Sequence, residues 1–177
     1  MKYLFCLLFL LPAMNNPIIL FDFTNTASLE DWRIVDDGVM GGKSAGNLYI
    51  NDNGQGVFEG DISLENYGGF SSIRYYFDAL TVENYTKVVL LVKGDSKDYQ
   101  FRIKADSDNY YSYVSTFSTN GDWQEIEIVL KDMYPTFRGR RLNKPNFSEK
   151  NMESISILIG NKKEEHFALL IDQIALQ

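Results

Sequence analysis

One cysteine and one histidine are all that this 177-residue chain holds of the side chains most used as nucleophiles, bases and soft metal ligands. Cys6 sits in the apolar N-terminal segment, so a chain without that segment has no thiol at all. Disulfides, thiol catalysis and cysteine-ligated zinc are then excluded. Catalysis by a Ser-His-Asp set would rest on His166 alone, which lies in "KKEEHFALLID" with no partner motif beside it. It reads as a solvated histidine at a strand edge.

Positive charge is the scarcer sign: 17 Lys and Arg stand against 24 Asp and Glu, a formal net charge of -7 at pH 7. Such a surface repels phosphate backbones, and no run of bases interleaved with aromatics reverses it, so a nucleic-acid partner is not expected. Prolines number only four, while 45% of residues are hydrophobic and 14% aromatic. That composition buries a core and excludes a disordered chain.

Apolar runs long enough to span a bilayer are also missing. "MKYLFCLLFLLPAMNNP" has one early Lys2, an apolar stretch from Tyr3 to Leu11, then Pro12 and small or polar residues. This is the length and order of a signal peptide over 1–16, followed by a single domain over 17–177 with no transmembrane span. Export to a periplasm or the exterior follows; without cleavage, the alternatives are a cytoplasmic or mitochondrial protein.

No segment carries a sustained 3.6-residue apolar period; "SLEDW" after Ser28 predicts at most a short capped helix. Short apolar or alternating runs separated by Gly, Asn, Asp and Ser clusters predict an all-β sandwich of about ten strands. They fall at 18–23, 47–50, 56–64, 71–77, 87–94, 99–105, 110–117, 123–130, 154–160 and 167–176. In "YQFRIKA" alternation puts Tyr99, Phe101 and Ile103 on one face and Gln100, Arg102 and Lys104 on the other. "VVLLV" is apolar throughout, the pattern of a central strand buried on both faces.

"DDGVMGGKS" (36–44) stands one residue from the phosphate-binding pattern G-x-x-x-x-G-K-[ST], with Asp37 in place of the first glycine. A carboxylate there opposes phosphate, and Ser44 leads into a strand pattern rather than a helix, so the segment is not a nucleotide loop. Nor is it an EF-hand, because Asp36 and Asp37 are adjacent rather than spaced as ligands. Its glycines read as a tight connection between β-segments. Asp22 and Asp172, in the first and last strands, are the remaining calcium candidates; edge carboxylates bonded to backbone amides are the preferred reading. No metal site, cofactor or catalytic pair of carboxylates is therefore assigned, and no enzyme is expected.

Two further stretches stand out. In "ENYGGFSSIR" (65–74), Gly68 and Gly69 predict a bend, with Phe70 and Arg74 beyond it. In "PTFRGRRL" (135–142), Arg138, Arg140 and Arg141 crowd together in an acidic chain. Salt bridges tying a long loop to the sandwich and a partner site are both consistent with them.

Taken in order, "DWRIVDDGVMGGKSAG", "FEGDISLENYGGFSSIR", "LLVKGDSKDYQFRIK", "GDWQEIEIVLKDMYPTFRGRRL" and "LLIDQIAL" resemble the complex I intermediate-associated protein 30 family over about Phe21 to Ile174. The resemblance implies a galactose-binding-like jelly-roll β-sandwich. It also implies a non-catalytic role, since the mitochondrial members are assembly factors acting as chaperones for respiratory complex I. Those members carry Arg- and Ser-rich transit sequences, and the apolar N-terminus here departs from that pattern. The expected activity is binding of a protein partner, with glycan binding as the alternative and hydrolysis as a lesser one. The expected surface combines Asp37, Met40 and Ser44, then Asn66, Phe70 and Arg74, then Phe137, Arg138 and Arg140, with Gln100 and Arg102 beneath. For a glycan, Tyr110, Tyr111 and Tyr113 offer ring faces.

Overall fold

A computed structural model of the protein describes residues 16–177, so the segment read as a signal peptide lies, save for Asn16, outside the described residues. Among the described residues, thirteen strands form two antiparallel sheets. One sheet runs β3 (Ala45–Ile50), β4 (Gly56–Ile62), β13 (Glu165–Leu176), β6 (Lys87–Lys93), β9 (Trp123–Val129), with β1 (Ile18–Asp22) joined to β13. The other runs β11 (Arg140–Arg141), β10 (Tyr134–Phe137), β8 (Ser112–Ser118), β7 (Asp98–Lys104), β12 (Asn151–Ile159), β5 (Ser71–Thr81), β2 (Trp32–Asp36).

The alternation that predicts the strands also builds the core. Tyr99, Phe101 and Ile103 of β7 are buried, as are Ile155 and Ile157 of β12. They pack in one cluster with Phe58, Leu90, Phe167 and Leu169 from the opposing sheet. Each such side chain removed from water contributes roughly 1.5–3 kcal/mol.

Three expectations need correction. Residues after Ser28 form a turn rather than a helix: Trp32 N–H donates to Leu29 O at 3.0 Å, and Glu30 N–H to Ser28 Oγ at 3.3 Å. The serine therefore closes a local turn, and Trp32 enters β2 with its ring buried against Tyr75, centroids 5.1 Å apart. "VVLLV" is buried on one face only. Val88, Leu90 and Val92 are sealed, whereas Val89 and Leu91 are half-buried beside Glu127 and Glu125 of the neighbouring strand. The long acidic side chains flank this apolar stripe on an otherwise open sheet face. Finally, the Arg-rich segment is not a long loop but a tight hairpin, and β2, β10 and β11 raise the strand count above ten.

Among the described residues, helical structure is limited to 3-10 turns at Asp37–Met40, Glu65–Tyr67 and Leu130–Asp132. No helix among them is long and apolar enough to cross a membrane.

Candidate functional site

The "DDGVMGGKS" segment is organised by Asp37, which is 0% exposed. Its carboxylate accepts hydrogen bonds from Ser44 N–H at 2.9 Å, Gly69 N–H at 2.6 Å, Phe70 N–H at 3.3 Å, and the Ser44 hydroxyl. Burial pushes this carboxyl up, but the Ser44 hydroxyl and the Gly69, Ser44 and Phe70 amides together hold it below the usual carboxylate range. The neighbouring glycines follow from this arrangement. A Cβ at Gly42 would lie 2.2 Å from Asp37 Oδ1, and one at Gly68 2.5 Å from Asp37 Oδ2. Gly41, at φ 90, closes the 3-10 turn in a backbone region that other residues rarely adopt.

Asn66 adds a further tie, donating from Nδ2 to Gly41 O at 3.0 Å, and Lys43 pairs with Glu65 at the surface. Asp37, Ser44, Asn66 and the Phe70 backbone thus knot two loops together at one end of the sandwich. The side chain of Met40 lies outside the described set. Asp95 makes a comparable tie elsewhere, accepting from Ala168 N–H at 2.9 Å and Tyr99 O–H at 2.8 Å.

Arg74, Gln100 and Arg102 occupy a different place, the outward face of the seven-stranded sheet. The register sets them in one row: Arg33 opposite Arg74, then Ser156, Arg102, Val114 and Tyr134 on successive strands. Gln100 Oε1 accepts from Arg102 Nε at 3.1 Å and Nη2 at 2.6 Å. An open hollow of about 390 Å³ lies between this pair and Tyr134, Thr136, Gly139 and Arg141. A much smaller and more enclosed one, of about 20 Å³, lies beside Arg74, Tyr76, Arg102, Lys104 and the serines at 72, 112, 154 and 156.

Phe137, Arg138 and Arg140 lie at the sheet's edge, in the hairpin joining β10 to β11, where Phe137 pairs with Arg140. Its two tip residues have positive φ, 49 at Arg138 and 73 at Gly139, the combination that a two-residue turn between twisted strands demands. Arg138 is an uncommon residue for that conformation, which asparagine or glycine adopts with less strain. Phe137 is 39% exposed and Tyr110 59% exposed; their rings meet edge to face at 5.1 Å. Arg138 Cζ lies 5.4 Å from the Phe137 ring centre, and Lys144 Nζ 4.9 Å from that of Tyr111. Of the salt-bridge and partner-site readings, the geometry departs from the first. Among the described residues Arg138, Arg140 and Arg141 form no ion pair, and Arg141 instead lies 4.7 Å over the Tyr134 ring.

The expected single surface is therefore divided into an internal knot at one end, a cationic row on a sheet face, and an aromatic hairpin at the edge. Tyr134 and Ser156 belong to the sheet face and escaped the sequence reading; Lys104, marked by alternation as outward, and Arg141, one of the three crowded arginines, join the same face, which only the register assembles. Tyr67, 99% exposed with φ 62, was likewise missed, and nothing in the local pattern marks it. Of the three tyrosines considered for sugars, Tyr113 is buried and donates to Glu149 Oε1 at 2.9 Å. Asp22 accepts from Gln173 Nε2 at 3.1 Å, and His166 is exposed beside Asp61. No cluster of three His, Cys, Asp or Glu side chains with metal-holding geometry occurs among the described residues.

Comparison with known proteins bears on this geometry. The sequence profile of complex I intermediate-associated protein 30 matches residues 21–171. The chain belongs to the complex I intermediate-associated protein 30 family. Its fold is also that of carbohydrate-binding modules. A family 11 module from Clostridium thermocellum, solved in complex with a beta-1,3-1,4-mixed-linked tetrasaccharide, is 18% identical. The TM-score is 0.66, with 90% of this chain and 94% of that one covered. The family 11 module of a cellulosomal cellulase of Clostridium thermocellum gives 17% identity and a TM-score of 0.67, covering 93% and 95%. A module described as specific for non-crystalline cellulose gives 11% and 0.57, covering 90% and 93%. Identities this low establish the two-sheet β-sandwich fold shared with these modules, and no more than the fold.

Proposed function

We propose that this family member is an exported, non-catalytic module that docks a protein partner through the β10–β11 hairpin. The observation carrying this reading is the exposed pair Phe137 and Arg138 on a hairpin whose tip places the arginine at positive φ, with exposed Tyr110, from the segment before β8, packed against Phe137. Strain of this kind costs on the order of 1 kcal/mol and persists where the surroundings impose it, commonly at sites of function. Tyrosine and arginine are also the residues in which interface hot spots are enriched. The family's description, an intermediate-associated protein, supports a protein partner. Export rests on the apolar segment from Tyr3 to Leu11.

Arg138→Asn separates binding from stability. Asparagine suits the turn, so the thermal midpoint is expected to hold or rise slightly. Recovery of the partner by the immobilised chain is expected to fall about tenfold or more, as for loss of a hot-spot residue. Phe137→Ala should do the same. Unchanged recovery with both variants would remove the hairpin from the binding surface.

One feature favours glycan binding as the second reading: the outward face of the seven-stranded sheet is a hollow lined by hydroxyls, guanidiniums and tyrosines. The fold is shared with modules whose names state carbohydrate binding. Hydrolysis finds no support in these hollows, because no Asp or Glu lines either of them.

A further inference from the structure

The cations on the outward face of the seven-stranded sheet lack the partners that an acidic protein has in plenty. Among the described residues Arg74, Arg102, Lys104 and Arg141 join no ion pair, although Asp and Glu outnumber Lys and Arg by 24 to 17. Arg74 and Arg102 flank Ser156 on strands two apart, which separates their backbones by about 10 Å. Gln100 engages two of the five Arg102 donors and holds the guanidinium in place. The other three have no partner among the described residues. Burial first, and then the like charge of Arg74, lower the Arg102 guanidinium to about 10, with Tyr134 acting slightly against them. It stays charged at neutral pH, at a cost to the fold that a bound anion would relieve.

We propose that this face is a binding site for an anionic glycan, one bearing uronate or sulfate groups. Arg74 and Arg102 take the acid groups, and Ser156 between them, with Ser112 beyond, takes the sugar hydroxyls. The site lies apart from the docking hairpin, and the proposal rests on the glycan reading above. Charge complementarity selects an anion, since both hollows are free of carboxylates and guanidinium forks match carboxylate and sulfate oxygens two by two. The floor selects a sugar over an acidic peptide. Ser112 and Ser156, both partly exposed, offer hydroxyls that donate and accept, whereas Ser72, Ser154 and Thr136 lie buried beneath them and Ser72 Oγ already donates to Val35 O at 3.0 Å. At the rim Tyr76, 40% exposed, presents a ring face for a pyranose. An extended peptide would need an open strand edge for its backbone, and this is a sheet face with every strand between β2 and β11 already paired on both sides.

Isothermal titration of the full chain tests this with four probes: a hexamer of galacturonic acid, its methyl ester, a sulfated galactan oligosaccharide and a poly-glutamate peptide. Binding of the uronate or the sulfated sugar is expected, with a response to one, the other or both identifying the acid group. The ester and the peptide should bind at least tenfold more weakly. Arg74→Gln and Arg102→Gln should each weaken binding about tenfold, the loss of one charge-assisted pair. Lys163→Gln, on the β12–β13 turn, should not. Removing either like charge should leave the thermal midpoint unchanged or higher, and Arg74→Gln alone decides the matter where Arg102→Gln does not fold. Equal binding of the methyl ester would overturn the anionic assignment while leaving the glycan reading standing. Equal binding of the peptide, no binding of either anionic sugar, or binding indifferent to both variants would overturn the proposal.

Discussion

Asp37→Ala is expected to lower the unfolding free energy by about 3–5 kcal/mol, because it strands several buried donors at once. The Ser44, Gly69 and Phe70 amides all donate to this one carboxylate, at 2.9, 2.6 and 3.3 Å, and the Ser44 hydroxyl joins them. Alanine fills none of those roles, and the buried pocket admits little water in its place. For a domain of this size the loss corresponds to a fall in thermal midpoint on the order of 10 °C. Asp37→Asn is expected to be nearly as harmful, since its amide nitrogen turns donors toward donors.

The same carboxylate sets a pH dependence. Its pKa is lowered in the folded protein, so its contribution is fully present above the unfolded value of about 3.9 and is lost as pH falls through that value toward the folded one. The thermal midpoint of the natural protein should therefore drop on acidification below about pH 4. The Asp37→Asn variant should lose less over the same interval. A midpoint for Asp37→Ala within a degree or two of the natural protein's would remove Asp37 from its organising role.

Gly60→Ala is expected to cost about 2–3 kcal/mol, through overpacking rather than lost bonds. Gly60 and Gly46 face each other across β3 and β4, and a Cβ at Gly60 would lie 2.1 Å from Ala45 O and 2.9 Å from Gly46 Cα. Both obstacles are backbone, so no side-chain rotation relieves them. The edge strand must move away, and amide hydrogen exchange in Ala45–Ile50 should accelerate more than in β13. Exchange in β3 that matches the natural protein's, with an unchanged midpoint, would contradict the close approach.

Strand alternation made most of the sandwich legible. "YQFRIKA" alone separates the buried Tyr99, Phe101 and Ile103 from the outward Gln100 and Arg102, because a period of two is a local property. The brevity of β11, two residues long, and the turn chemistry of Arg138 and Gly139 hid the hairpin. A non-glycine residue at positive φ gives no sequence signal when the usual Asn-Gly pair is absent. "SLEDW" misled for a related reason: a serine that caps helices also closes turns, and Ser28 does the latter.

The candidate site was legible as residues but not as a map. Asp37, Gly42, Ser44, Gly68 and Gly69 were marked by their types. Only the fold shows that the glycines make room for a carboxylate or for the amide it binds. Arg74 and Arg102 are far apart in sequence, and their shared row exists only through the pairing of β5 and β7 with β12.

The division of the molecule into an internal knot and an outward binding hairpin is open to one measurement, amide hydrogen exchange of the chain with and without its recovered partner. Binding is expected to slow exchange at Tyr110 and Tyr111 and through Tyr134–Arg141, leaving residues 37–44 and 63–70 unchanged. Protection confined to residues 37–44 and 63–70, with the hairpin exchanging freely, would show that the glycine-rich loops meet the partner and would overturn the proposed surface.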